Sequence, residues 1–150
     1  MRTVVQRVSR ASVKTSGVQV CSIDKGLCCL VGVEKGDGEG DLDYTARKIV
    51  GLRIFEDEEG AMNLDVQTTG GDILLVSQFT LLADARKGRR PSFADAEDGA
   101  QARELFDALV AKVRGIFPGR VETGVFGAMM EVDIVNNGPV TILLDSRRRF

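Results

Sequence analysis

Valine-rich apolar runs open the chain: Thr3 to Val8, Val18 to Ile23 and Leu27 to Val33 read as strands, parted by Ser-Gly and Lys-Gly turn signals. They predict an antiparallel meander. After the polar, glycine-rich stretch Glu34 to Gly40, the residues Leu42, Thr45, Ala46, Ile49, Val50 and Arg53 recur at helical spacing behind Asp41 and Asp43, which suit a helix N-terminus. The pattern predicts a first helix over 41–52. Glu56 to Gly60 is an acidic hairpin tip without the ligand spacing or closing glutamate of an EF-hand. Gly70-Gly71 leads into Asp72 to Phe79, a continuous apolar run ending in polar groups, which predicts a central strand with an exposed C-terminal end.

Asp84 to Arg90 is basic and loop-like. A second helix is predicted after Pro91-Ser92, with Ala102, Leu105, Phe106, Leu109, Val110 and Val113 on one face and Gly115 and Pro118 as its stop. Val121, Thr123 and Val125 alternate as a strand, and Glu131 to Val135 and Val140 to Leu144 form a final pair around Gly138-Pro139. Proline cannot donate to a sheet ladder, so this break in apolar sequence is either a turn between strands or a place where the backbone presents its peptide groups to another molecule. The order of elements predicts an α+β, or mixed α/β, fold in which two helices cover a curved, mainly antiparallel, barrel-like sheet. A length of 150 residues fits one domain, 1–150.

Composition narrows the chemistry. The 20 basic and 22 acidic residues nearly cancel, so binding of nucleic acid has to come from a local patch. No signal peptide opens the chain and no apolar run approaches the ~18 residues of a membrane span, which predicts a soluble, cytoplasmic protein with no membrane partner. Cys21, Cys28 and Cys29 lack paired spacing and read as buried free thiols. Histidine is absent, which removes Ser-His-Asp and Cys-His activation and the commonest transition-metal ligand. With no convincing carboxylate cluster either, neither metal nor cofactor is expected. GxxxxGK[ST] is missing and the glycine cluster at Gly36 to Gly40 is acidic, which argues against a phosphate loop and nucleotide hydrolysis.

Three segments interrupt apolar strands with polar groups and glycines: Ser77-Gln78-Phe79-Thr80-Leu81, Glu122 to Met130, and Asn136-Asn137-Gly138-Pro139-Val140-Thr141. Each has a structural reading. Ser77 and Thr80 can satisfy backbone at a strand end, Met129-Met130 can fill a core, and Phe79, Phe126 and Ala102 are ordinary core residues.

Taken together the segments closely resemble the D-aminoacyl-tRNA deacylases, and the resemblance runs over essentially the whole chain. Met1 to Val13 is similar to that family's first strand, Val31 to Asp37 to the loop after its early meander, and Arg47-Lys48-Ile49, Leu52 to Phe55 and Met62-Asn63-Leu64 to its first helix and hairpin. Ser77-Gln78-Phe79-Thr80-Leu81 and Asn136-Asn137-Gly138-Pro139-Val140-Thr141 match its two signature motifs, with Arg86-Lys87-Gly88 and Arg90 to Phe93 between them. Asn137 departs from a commonly acidic position, Leu82 from a commonly aromatic one, and Ala85 and Arg89 from the loop pattern.

The resemblance implies hydrolysis of the ester joining a D-amino acid to the 3′ end of tRNA, a homodimer, and a Gly138-Pro139 pair joined by a cis bond that enters the partner's active site near Ser77, Gln78, Phe79 and Thr80. Its two carbonyls would accept from the substrate ammonium while their bulk excludes an L side chain, and glycyl-tRNA becomes a second substrate. Arg7 would hold the Gly-Pro loop, Phe79 and Phe126 would wall the pocket, and Ala102 would leave room for adenine. Backbone N–H groups around Gln78, Phe79 and Thr80 would form an oxyanion site, with Thr80 as a covalent nucleophile the competing mechanism. Arg86, Lys87, Arg89, Arg90 and the tail Arg147 to Arg149 are candidates for tRNA phosphates. A noncatalytic dimeric module that binds amino acids or tRNA ends, and a structural α+β protein whose Gly-Pro is a turn, are the competing readings.

Overall fold

A computed structural model describes residues 1–150. The chain runs β1 (Arg2–Thr15), β2 (Val18–Ile23), β3 (Gly26–Gly32), α1 (Glu39–Gly51), β4 (Phe55–Glu56), β5 (Met62–Leu64), β6 (Asp72–Ser77), a 3-10 turn (Phe79–Leu82), α2 (Gly99–Ile116), β7 (Val121–Thr123) and β8 (Glu131–Asp145). Strands β2, β1, β3, β6 and β7 form one sheet in that order, and β8 pairs with β1. The pairs that β1 makes with β2, β3 and β8 are antiparallel, whereas β3–β6 and β6–β7 are parallel. The sheet is therefore mixed, and the parallel strands aim three C-terminal ends the same way.

Both faces of the sheet are buried. On one, Val5, Leu27, Cys29, Ile73 and Leu75 pack under α1 and α2, whose buried residues include Leu42, Ala46, Ile49, Ala102, Phe106, Leu109 and Val113. On the other, Cys28, Leu74 and Val76 meet Val8, Ala11, Val13, Cys21 and Ile23. This second cluster exists because the β1–β2 hairpin curls back over the sheet, giving the barrel-like form. Each fully buried Leu or Ile contributes roughly 1.5–3 kcal/mol of transfer free energy. All three cysteines are free and buried, and burial pushes the Cys28 thiol up to about 12, so it offers no thiolate at neutral pH.

Several elements differ from the sequence pattern. Strand β1 does not stop at Val8 but continues to Thr15, because register shifts on either side of Val8 return Ala11 and Val13 to the interior beyond the exposed Ser9-Arg10. Helix α1 begins at Glu39, where Asp41 accepts the Gly38 N–H at 2.9 Å. Helix α2 begins only at Gly99, capped by Asp98 accepting from the Gln101 N–H at 3.1 Å. The segment before it is held by other backbone bonds, from Lys35 N–H to the Asp95 carbonyl and from Glu97 N–H to the Val33 carbonyl. Strand β7 ends at Thr123, not Val125, and β6 ends at Ser77, where the chain turns.

The largest difference concerns the final pair of strands, which is a single strand. Glu131 to Asn136 and Thr141 to Asp145 run in one direction along β1, from Lys14↔Glu131 to Val8↔Asn136 and on from Gln6↔Thr141 to Arg2↔Asp145. Only Arg7 separates Gln6 from Val8, whereas Asn137 to Val140 separate their partners, so Gly138-Pro139 is the tip of a bulge and not a turn between strands.

Candidate active site

The parallel strands place one group of predicted residues together. Ser77 closes β6 beside Val31 of β3, and the Gln78 N–H donates to the Val31 carbonyl at 2.7 Å before the chain enters the 3-10 turn. The turn packs directly on Gly32: a Cβ there would lie 2.3 Å from Leu82 Cδ2 and 3.0 Å from the Gln78 carbonyl oxygen. Arg2 ties the turn to β1 by donating from Nη1 to the Leu81 carbonyl at 3.2 Å, and Asp145 braces Arg2 at 3.5 Å. Sequence reasoning missed Arg2 and Gly32 as positioning residues. The glycine between Val31 and Val33 at the end of a buried strand was the readable signal for close backbone approach.

Within the turn, the Gln78 carboxamide is hydrogen-bonded to the Thr80 hydroxyl. An amide is not a base at neutral pH, so this contact orients the hydroxyl without activating it as a nucleophile. The expected oxyanion donors need one correction: the Gln78 N–H is committed to β3. Phe79 and Thr80 head the turn, where no preceding intrahelical carbonyl is available to their N–H groups, and no side chain caps them.

Around this strand end, the Gly124 N–H donates to the Leu75 carbonyl at 3.0 Å and brings the segment after β7 alongside β6. Phe126 is half-buried, its ring 5.9 Å from Phe106, with Arg103 6.0 Å from its centroid. Ala102 is buried one helical turn before Phe106. Phe79 is 58% exposed and meets Phe93 edge-on at 5.2 Å. Ser77 to Thr80, Phe126 and Ala102 thus share the end of the sheet where β3, β6 and β7 terminate, a general location for ligand sites in sheets of this kind. No group of three or more His, Cys, Asp or Glu side chains is placed to hold a metal ion.

The second group lies elsewhere. Arg7, only 5% exposed, donates from Nη1 to the Ile54 carbonyl at 2.7 Å and from Nε to the Asn137 carbonyl at 3.2 Å, with Glu56 3.6 Å from Nη2. The Asn136 side chain spans the base of the bulge, accepting from the Val140 N–H at 3.3 Å and donating to the Thr141 hydroxyl at 3.2 Å. Gly138 and Pro139 project into solvent, joined by a cis peptide, with Gly138 at φ +119°. Ser77 is level with Val31, and Val31 with Thr3, whereas the bulge is opposite Arg7 and three strands across. At ~3.3 Å per residue and ~4.8 Å per strand, the two groups are on the order of 20 Å apart within one chain.

The basic candidates divide in two. Arg86 is held on Asp84 by hydrogen bonds of 2.8 and 2.7 Å, which keep the Asp84 carboxyl below the usual range. Arg147 and Arg149 pair with Glu34, Asp37 and Asp145. Burial works against the Glu34 charge, but the Arg149 hydrogen bond and the charges of Arg147 and Arg149 outweigh it and lower its pKa. Lys87, Arg89, Arg90 and Arg148 make no such pair.

The chain is similar to known proteins along essentially its whole length. The family model described as D-Tyr-tRNA(Tyr) deacylase covers residues 4–145. The chain belongs to this family. Proteins named D-aminoacyl-tRNA deacylase from Kosmotoga olearia and Desulfitobacterium hafniense are each 57% identical over 150 residues, covering all of both chains. Among solved structures of the same shape, the c-Myc DNA unwinding element binding protein is 41% identical with a TM-score of 0.92, covering 97% of this chain and 98% of that one. A probable eukaryotic D-amino acid tRNA deacylase shares the fold at 18% identity and a TM-score of 0.77, over 95% and 97% of the two chains. No helix of this family member is long and apolar enough to cross a membrane.

Proposed function

We propose that this chain hydrolyses the ester of D-aminoacyl-tRNA, acting as a proofreading enzyme of translation, with Gly138-Pro139 of one subunit as the chiral filter of the other. The observation that carries the reading is the bulge itself: an exposed backbone loop anchored from below by a buried arginine. D and L forms exchange hydrogen and side chain at Cα, so selection needs rigid acceptors for the ammonium and a wall against one direction of branching. Backbone carbonyls do both. Glycyl-tRNA, with no side chain to exclude, passes the same filter.

A single copy leaves its loop on the order of 20 Å from its own Ser77 to Thr80, which favours a homodimer. Strand β8 offers a surface for one. It is paired along one edge only, and Val135 and Leu143 on it are 45% and 59% exposed.

In the reaction, water adds to the ester carbonyl, the N–H groups of Phe79 and Thr80 stabilise the oxyanion, and the bond to the ribose 3′ oxygen breaks. The substrate 2′-hydroxyl assists proton transfer, and free tRNA and D-amino acid leave. One preorganised oxyanion donor is worth about 2.7–4 kcal/mol, and an aminoacyl ester is already activated, so a strong base is dispensable. Thr80→Val removes one hydroxyl contact and is expected to slow turnover roughly tenfold with the unfolding midpoint retained. Complete loss in the variant, together with an acyl group trapped on Thr80 of the wild-type protein, would replace the water mechanism by a nucleophilic one.

The activity is tested by incubating matched D- and L-aminoacyl-tRNA with low enzyme and following ester loss. The D ester disappears and the L ester persists. Equal rates, or none on either, would refute the reading.

A further inference from the structure

A basic recess on the outer side of α1 has no part in the chemistry described above. It measures about 550 Å³, and its polar lining comes from Tyr44, Arg47, Lys48, Arg53 and Arg148, with no carboxylate among them. Lys48 and Arg148 approach the Tyr44 ring to 5.7 and 5.6 Å. Arg47 donates to the Asp43 carbonyl and Arg53 to Asn63, both without an ion pair, and none of the four cations is bridged to a carboxylate. Lys112, Arg120, Arg147 and Arg149, by contrast, are each neutralised. Four cations without an ion pair around one concavity, on a chain of net charge −2, make a local positive field, with Asp43 and Asp65 the carboxylates near enough to feel Arg47 and Arg53.

We propose that this recess docks phosphates of the tRNA acceptor arm, and that it serves the active site of the neighbouring subunit. The second clause rests on the crossed-subunit reading above. Arg53 directly precedes Ile54, whose carbonyl is held by Arg7, the residue that also holds the Gly-Pro bulge. The recess therefore flanks the loop that enters the neighbouring site, and an RNA whose 3′ end lies in that site has its backbone beside α1. Guanidinium groups match phosphate oxygens in a bidentate fashion, and the Tyr44 ring gathers the Lys48 and Arg148 charges at the recess.

The test uses the full-length double variant Arg47→Glu/Lys48→Glu, whose two side chains are exposed and outside both cores. Three readouts are taken: kcat/KM on D-aminoacyl-tRNA at several salt concentrations, the rate on D-aminoacyl-adenosine, and affinity for uncharged tRNA by fluorescence anisotropy. The expected result is a fall of roughly tenfold or more on tRNA and in tRNA affinity, a log–log salt slope shallower by about 0.7–0.9 per lost contact, and an unchanged rate on the adenosine ester. Equal loss on both esters, or unchanged tRNA affinity and salt slope, would overturn the proposal. If the wild-type protein hydrolyses neither ester, the activity reading fails, while the anisotropy comparison still decides the recess.

Discussion

Arg7→Met will unfold at a clearly lower denaturant concentration than the wild type and will lose its preference for D- over L-aminoacyl esters. The methionine replaces the aliphatic stem, so packing changes little, but the Ile54 and Asn137 carbonyls lose their donor. Charge-assisted hydrogen bonds contribute about 1.5–3 kcal/mol each, and the Ile54 bond at 2.7 Å is the more buried of the two. Asn137 is exposed and can turn to water, and the Glu56 partner is 61% exposed, so that ion pair adds little. The expected loss is therefore about 3–4 kcal/mol, read as a urea midpoint lower by about 2 M at a typical slope. Arg7→Lys separates charge from geometry. An ammonium is a single point of donors and does not span both carbonyls as the guanidinium fork does, so the D/L rate ratio stays low even where stability partly recovers. An Arg7→Met protein with wild-type stability and an intact D/L ratio would show that the bulge holds its shape without this clamp.

The clamp also shows what the sequence can and cannot disclose. The hydrophobic pattern located both helices by their spacing and the main-sheet strands by apolar runs between turn signals, whereas the short β4–β5 pair is legible only through its acidic tip and the family resemblance. The pattern misjudged β8, because alternation records which side chains face inward and carries no information about direction. Val132, Ile134, Val140, Ile142 and Leu144 keep one phase across the break, which suits either a hairpin or one bulged strand. Only the pairing with β1 decides. Strand β1 was cut short for a related reason, since its register shifts place Ser9 and Arg10 outward together and imitate a strand end. Of the candidate site, the Ser77 to Thr80 motif was legible through family resemblance. What remained hidden depends on contacts across 79 residues of sequence, as between Arg2 and Leu81, or on a ladder bond that uses up the Gln78 N–H. Of the four cations of the α1 recess, only Arg148 is among the sequence candidates for tRNA phosphates; the other three are hidden in the same way, because a sequence lists charges but not which carboxylates neutralise them.

Gly138→Ala will separate filter from fold. Gly138 has φ +119°, a conformation that L residues rarely adopt, and an added Cβ would lie 2.9 Å from Arg7 Nη2, 2.9 Å from Val140 Cγ2 and 3.1 Å from the Val140 backbone nitrogen. The Arg7 guanidinium is held by its own hydrogen bonds, Val140 is buried and stiff at χ1, and the backbone nitrogen cannot move independently, so the loop itself must shift. Because Gly138 and Pro139 are exposed and outside both hydrophobic clusters, with only Val140 at the end of the bulge reaching the core, the cost to stability stays within about 1–3 kcal/mol, that of one strained residue. Catalysis is more sensitive: displacing a positioning group by ~1 Å can cost on the order of 100-fold, and here the displaced groups are the proposed carbonyl acceptors. The expected result is a fall of about 100-fold in kcat/KM on D-aminoacyl-tRNA with the protein folded, the reverse of the balance expected for Arg7→Met, where stability suffers most. Tight tRNA binding should persist, since the α1 recess and the basic loop are untouched. A Gly138→Ala protein that hydrolyses the D ester at the wild-type rate and still rejects the L ester would remove the bulge from the active site and leave the chirality of this enzyme to be explained by the Ser77 to Thr80 turn alone.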